Sequence, residues 1–294
     1  MTRRPGTAPT PGRLLRKVGR VVGRLAAPAR ELALALVHRD AFASVERFVF
    51  FIGYPRSGHT LVGALLDAHP DALVAHELHA LAVLRQPRRL PLGAPRLYAK
   101  LLLRSRWFGA RGRLWSGYDY TVPGQWQGRW RTLRVIGDKR GGGSTQLLAA
   151  DPAALDQLRA TVAVPIVAIH HVRDPHDNIA SIAQREGIPL ADAAARYFRL
   201  ADLAAVALRR LGPSERVDLH HEDLVADPRA RLADLALALG LAPEPAWLDA
   251  CARLVLPAPH RSREAVAWPP ELLAEVARRM AAHPHLARYL RPPA

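Results

Sequence analysis

An α/β fold, a three-layer sandwich around a central parallel sheet, follows from three features of this 294-residue sequence. Short apolar runs at 48–53, 71–76, 132–136, 165–172 and 216–220 alternate with longer stretches of helical periodicity. Several of these runs are almost continuously apolar, as strands covered on both faces must be. The first run passes through a short turn with glycines at both ends directly into a helical pattern. That strand–loop–helix layout converges backbone N–H groups and a helix N-terminus on an anion.

The length suits one large α/β domain, and no internal repeat or second-domain linker interrupts it. We divide the chain into a basic N-terminal extension, 1–44, and a domain over 45–294 that carries an Arg- and aromatic-rich insert at 85–131. One cysteine, Cys251, excludes an internal disulfide framework and a cysteine zinc cage; it reads as a small buried hydrophobe. The formal net charge is +16, unevenly spread. Residues 1–45 hold nine Lys/Arg against two acids, and residues 85–134 hold twelve against one, so the rest of the chain is close to neutral. Such segments suit an anionic acceptor, an anionic membrane surface or a nucleic acid; an Arg-rich composition alone also produces them.

Residues 1–12 are rich in Pro, Thr and Arg, a composition that predicts disorder. From Arg13 to Ala27, Leu14, Leu15, Val18, Val21, Val22 and Leu25 recur at helical spacing with arginines between them. This is the pattern of a basic amphipathic helix that lies on a membrane surface or packs on the domain. Arg20 and Arg24 interrupt any signal-peptide core, and no later segment has the ~18 uncharged apolar residues of a membrane span. Strand one is expected at 48–53 and strand two at 71–76, ending in His76-Glu77-Leu78-His79. A third strand at 132–136 runs into Asp138-Lys139 and a glycine-rich Gly141-Gly-Gly143. A helix is expected around 152–160, then a strand at 165–172. It ends in Arg173-Asp174-Pro175, where Pro favours a helix start. Asn178, Ser181 and Arg185 lie along that helix; further helices and a strand at 216–220 complete the domain.

The turn Gly53-Tyr-Pro-Arg-Ser-Gly58-His-Thr60 has the G-x-x-x-x-G-x-T spacing of a phosphate loop, but His59 stands where an ATP-binding loop has Lys. Arg56 is its one basic residue. With the hydroxyls of Ser57 and Thr60 and the loop amides it makes an oxyanion cradle without the usual β/γ-phosphate clamp. The strand at 165–172 ends in basic rather than acidic residues, so a kinase or nucleoside triphosphatase is the second reading. Arg173 and Ser181, eight residues apart across a strand-to-helix turn, can face the same side of the strand ends, where parallel sheets bind ligands. Two anion sites on one sheet point to a nucleotide with phosphates at both its 5′ and 3′ positions.

The loop Gly53–Thr60 resembles the Y-P-[KR]-S-G-T-[TS] phosphosulfate loop of the sulfotransferase family. Val172-Arg-Asp-Pro175 with Asn178 and Ser181 resembles its 3′-phosphate motif, and His221-Glu-Asp-Leu224 with Asp227-Pro228 resembles the Y-E-D-L…D-P segment of its bacterial and carbohydrate branches. The likeness covers about 48–240, with His59 departing from the usual small hydroxyl residue. The resemblance implies a P-loop NTPase-like fold and transfer of a sulfuryl group from 3′-phosphoadenosine-5′-phosphosulfate to an acceptor hydroxyl or amine. The sulfuryl group carries less charge than a γ-phosphoryl, so no metal is required.

On that resemblance Arg56 contacts the 5′-phosphate and bridging oxygen. Ser57, Gly58, His59 and Thr60 complete the loop, and Arg173 and Ser181 hold the 3′-phosphate. The late basic residues Arg261 and Arg263 close over it. The base is Glu77, with His76 and His79 as competitors, because different branches use Glu or His. Lys139 assists charge stabilisation or is a solvated loop lysine. The insert suits a carbohydrate, an anionic sugar or a glycolipid head group, though aromatic packing in a lid would look the same. A cytoplasmic setting is expected, with residues 13–27 as a contact to the inner membrane surface. A purely basic membrane- or nucleic-acid-binding protein is the third reading; no nucleic acid is expected as a partner of the enzyme.

Overall fold

The computed structural model describes residues 27–86, 92–258 and 260–290. The amphipathic segment anticipated at 13–27 lies almost wholly outside them. Helix α1 (27–37) and helix α2 (Arg39–Ala43) lead into strand β1 (Arg47–Gly53). There follow α3 (His59–Asp67), β2 (Ala72–His76), α4 (Ala80–Arg85), α5 (Ala94–Gly109), a small hairpin of β3 (Leu114–Trp115) and β4 (Tyr118–Asp119), and β5 (Val135–Lys139). The second half runs α6 (Gly141–Ala150), α7 (Ala153–Val162), β6 (Ile166–Val172), α8 (Pro175–Glu186), α9 (Leu190–Leu208) and β7 (Arg216–His220). Helices α10 (His221–Ala226), α11 (Pro228–Ala238), α12 (Pro245–Leu254) and α13 (Pro270–Ala281) then precede a short 3-10 turn, Pro284–Tyr289.

The five long strands form one parallel sheet in the order β2-β5-β1-β6-β7. Successive side chains of β1 point to opposite faces, which divides the core into two layers. Phe48, Phe50 and Ile52 pack with α5, α6, α7, α8 and α9, whereas Val49 and Phe51 pack with α3, α11 and α12. All five of these side chains are buried, which is why β1 reads as a nearly unbroken apolar run. Trp247 Nε1–H, fully buried, donates to the Leu65 carbonyl at 2.8 Å and pins α12 onto α3. Cys251 packs beside it, buried as expected.

One local expectation needs correction. The third strand begins at Val135, not 132, and continues through Gly-Asp-Lys to residue 139. The preceding residues are held away from the ladder by Asp71, which accepts from the Arg131 side chain and the Thr132 N–H. Gly137 is a strand residue because β5 approaches β1 so closely that a Cβ there would lie 2.1 Å from the Val49 carbonyl oxygen. Gly141-Gly-Gly143 forms the first turn of α6. Part of the segment 85–131 serves the core: Leu97, Tyr98, Leu101 and Leu102 of α5 are buried, and α5 packs on the edge strand β2. Trp130 packs against His38 and Phe42 near the N-terminus.

From β1 the chain builds first one side of the sheet (β2, β5), then the other (β6, β7). The carboxyl end of β1 is therefore the switch point where an open parallel sheet leaves a crevice.

Candidate active site

A cleft of about 300 Å³ opens over that switch point. Arg56, Gly58, His59, Thr60 and Leu61 form its floor, with Arg173 and His221 at the ends of β6 and β7. The hairpin residues Trp115, Ser116, Tyr118, Asp119 and Tyr120 form one wall, and Val225 with Leu254, Val255, Leu256, Ala258 and His260 forms the other. The hairpin turn uses Ser116 and Gly117 with φ of 53° and 85°, the paired positive values of a two-residue hairpin turn. Its base is fixed by the buried Arg113 guanidinium, which donates to Asp67 at 3.0 Å.

The two proposed anchors meet directly. Arg56 Nε–H donates to Ser181 Oγ at 3.3 Å, and Arg173 Nη1–H donates to the Arg56 carbonyl at 3.3 Å. Asn178 secures the same loop through Pro55, whose carbonyl accepts at 3.0 Å. Arg56 takes φ 65°, a left-handed conformation uncommon outside glycine, and Glu77 (55°) and His79 (63°) share it. Backbone strain of this kind costs roughly 1–3 kcal/mol per residue and concentrates where function fixes the geometry.

A second cluster lies behind Thr60. Lys139 Nζ donates to Thr60 Oγ1 and to Glu77 Oε1, both at 3.0 Å, and Arg140 Nη1 donates to Glu77 Oε2 at 2.6 Å. Burial pushes the Glu77 carboxyl up, but Lys139 and Arg140 outweigh it and hold the group below the usual carboxylate range. Burial lowers the Lys139 ammonium, against the pull of Glu77. The Glu77–His79 turn is clamped by Asp138, whose two oxygens accept from the Leu78 and Ala80 N–H groups, each at 2.8 Å. Burial raises Asp138 to about 6, opposed by those amides.

The histidines take different places. His76 stacks on Phe108 at 4.0 Å and meets the edge of Trp115 at 4.6 Å; burial and the nearby Lys139 lower it to about 3. His79 caps α4 and is also lowered, chiefly by burial and then by Arg140. Both rings are thus neutral near pH 7. His59 reaches the cleft only at its margin, being 8% exposed, and burial and Lys139 lower it to about 3. Ser57 is fully buried, with its hydroxyl donating to the Tyr54 carbonyl, and does not line the cleft.

Arg263 and Arg261 do not join the cleft. Arg263 pairs with Asp174 and donates its N–H to Asp177 Oδ1 at 3.0 Å, and Arg261 is exposed and pairs with Glu264. The sequence reading did not single out His221 or the hairpin tyrosines Tyr118 and Tyr120 as site residues, although it placed the tyrosines' segment on the acceptor side and quoted His221 in a motif. His221 lies against Gly58, between the loop and Arg173, with a buried Nδ1 that has no partner; burial and Arg173 lower it to about 4. The usable signals were its place at the end of a parallel strand and the Ser116-Gly117 turn between aromatic residues.

No family model and no curated protein matches the chain. Among solved structures it is similar to the sulfotransferase domain from the curacin biosynthetic pathway (19% identity, TM-score 0.49, 81% of this chain and 97% of that one). It is also similar to a sulfotransferase from Mycobacterium tuberculosis H37Rv (17%, TM-score 0.48, 88% and 83%) and to a mouse sulfotransferase complexed with PAP (12%, TM-score 0.44, 83% and 87%). At such identities the chemistry is read from this chain's own residues.

Proposed function

We propose that the protein is a sulfotransferase, moving a sulfuryl group from 3′-phosphoadenosine-5′-phosphosulfate to an acceptor hydroxyl or amine. The observation that supports this reading is the junction of two anion anchors: Arg56 of the loop and Arg173 both line the cleft, and Ser181 accepts from Arg56 behind it. Their joint presence suits a nucleotide bearing separate 5′ and 3′ phosphates. The apolar wall of Leu61, Val225 and 254–256 suits its flat base. Asp119, on the hairpin, is the one carboxylate among the residues lining the cleft. Asp138, at the end of the neighbouring strand, is committed to backbone amides. Glu77, behind Thr60, is engaged by Lys139 and Arg140, and this distribution favours a sulfuryl donor over a Mg-nucleotide, whose metal needs a free carboxylate near the loop.

In this reading the acceptor oxygen or nitrogen attacks sulfur in line with the bridging oxygen. The S–O bond to the 5′-phosphate breaks, and its electron pair leaves on the phosphate, facing Arg56 and the loop amides. Glu77 takes the acceptor's proton, and Lys139, which spans Thr60 and Glu77, stabilises charge between donor and base. Trp115, Tyr118 and Tyr120 offer aromatic faces to a carbohydrate or glycolipid acceptor. Calorimetry tests the donor: 3′,5′-bisphosphoadenosine should bind with a Kd on the order of micromolar without added metal. Tight Mg-ATP binding with none to the bisphosphate would establish the kinase reading instead.

A further inference from the structure

His59 occupies the slot in which an ATP-binding loop carries its lysine, but its ring is largely buried and reaches the cleft only at its margin. Nε2 lies 3.2 Å from Ser57 Oγ. The Ser57 hydroxyl proton is already given to the Tyr54 carbonyl at 3.0 Å, so Oγ can only accept from the imidazole. The bond therefore runs from His59 Nε2–H to Ser57 Oγ and defines the tautomer. Phe51 and His171 meet the ring edge-on, with centroids at 6.4 and 6.2 Å. The remaining side is open only because residue 141 is glycine. A Cβ there would lie 2.1 Å from Nε2 and 2.5 Å from Cδ2. Gly141 has no left-handed backbone to explain it, since its φ is not among the positive ones. Elsewhere in α6 a glycine costs roughly 1 kcal/mol relative to alanine, so the close approach of His59 is what the position serves.

We propose that His59 is a positioning residue that braces the phosphate loop from within, and that Gly141 exists to house its ring. The chain His59 Nε2–H to Ser57 Oγ–H to Tyr54 C=O closes the loop on itself across residues 54–59. It keeps the loop amides directed outward and leaves Arg56 as the loop's one cation toward an anion. The departure from the small hydroxyl residue expected at 59 and the glycine at 141 are then one feature, eighty-two positions apart in sequence. The assignment of the ligand rests on the function proposed above; the brace itself does not.

The test compares wild type, G141A, H59T, the G141A/H59T double variant and H59Q, measuring 3′,5′-bisphosphoadenosine affinity by calorimetry and the unfolding midpoint of each. G141A should weaken binding by about tenfold or more in the His59 protein, because the methyl group evicts the ring. In the H59T background, where the slot is vacant, the same change should cost less than about twofold. H59Q, whose amide can donate to Ser57 Oγ, should recover most of the affinity that H59T loses, with midpoints within about 3 °C of each other. Equal cost of G141A in both backgrounds, or H59Q as weak as H59T, overturns the brace. If wild type does not bind the bisphosphate, the proposed function fails and the brace is judged on midpoints. G141A should then lower the midpoint by about 5 °C with His59 present and by little without it; equal shifts overturn it.

Discussion

Glu77 holds a left-handed backbone, two cationic partners and a position directly after a buried strand, and each of these can be separated by substitution. Glu77→Gln removes the proton acceptor while keeping the shape, so turnover should fall by about 10²- to 10⁴-fold, with bisphosphate affinity unchanged in calorimetry. Retained turnover would move the base to His76 or His79. The pH dependence follows from the signs. Glu77 lies below its unfolded value, so its ion pairs contribute stability that is fully present above about pH 4.3. That contribution is lost as pH falls through the lower folded value. The carboxylate is therefore available as a base across the neutral range. Lys139 is lowered, so activity should decline on the alkaline side earlier than an ordinary lysine would dictate, and Lys139→Arg should move that limb upward in a pH–rate profile. Asp138→Asn keeps one acceptor for the turn amides but turns an NH2 toward the other. The unpaired donor should cost about 1–3 kcal/mol in denaturant unfolding, with a further loss of turnover as the Glu77 turn loosens.

At the level of elements, the anchors are held from behind by the end of the described chain. Tyr54, fully buried in the loop, has its hydroxyl 2.8 Å from His285 Nε2 and 3.3 Å from His170 Nε2. In the same 3-10 turn, Tyr289 donates to Glu222 Oε2 at 2.6 Å, and Glu222 Oε1 accepts the Asp174 N–H at 2.9 Å. One short element thus supports both the loop and the Arg173 turn. His285→Ala should cost about 1 kcal/mol, roughly a fivefold weakening of bisphosphate binding, whereas Leu290→Ala at its exposed end should change nothing measurable. This support was invisible in the sequence, because residues 284–289 carry no periodicity and their partners lie a hundred or more positions away for Tyr54. What could be read was local: the loop between Gly53 and Thr60, the Asp174-Pro175 helix start that Asp174 caps through the His176 N–H, and the covered strands β1 and β6. The start of β5 was misplaced because its boundary is decided by Asp71 and by contact with Val49, neither of which leaves a mark on residues 132–139 themselves. The same holds for Arg263, whose charge fitted a phosphate but whose partners are Asp174 and Asp177.

For the molecule as a whole, the formal charge is +16, but among the described residues several arginines are engaged by acids. Arg131 serves Asp71 and Glu244, Arg134 serves Glu46, Arg159 serves Glu215 and Arg288 serves Asp223. Such pairs are individually worth little in stability, but they remove arginines from the pool that a polyanion could engage. Among the described residues, no helix is long and apolar enough to cross a membrane. Leu32, Leu36 and Val37 of α1 are exposed. If catalysis and charge are separate properties, they should respond differently to salt and to truncation. Between 50 and 200 mM salt, bisphosphate affinity should fall less than about tenfold, whereas a nucleic-acid binder with many phosphate contacts would lose roughly 10³- to 10⁵-fold. A variant lacking residues 1–26 should keep its bisphosphate affinity and lose co-sedimentation with vesicles containing anionic lipid. Neutral vesicles serve as the control, because an interfacial basic helix needs both its apolar face and the anionic headgroups. Equal co-sedimentation of the truncated and full chains would place the charge of 1–26 outside any membrane role, and loss of bisphosphate binding on truncation would make the extension part of the domain.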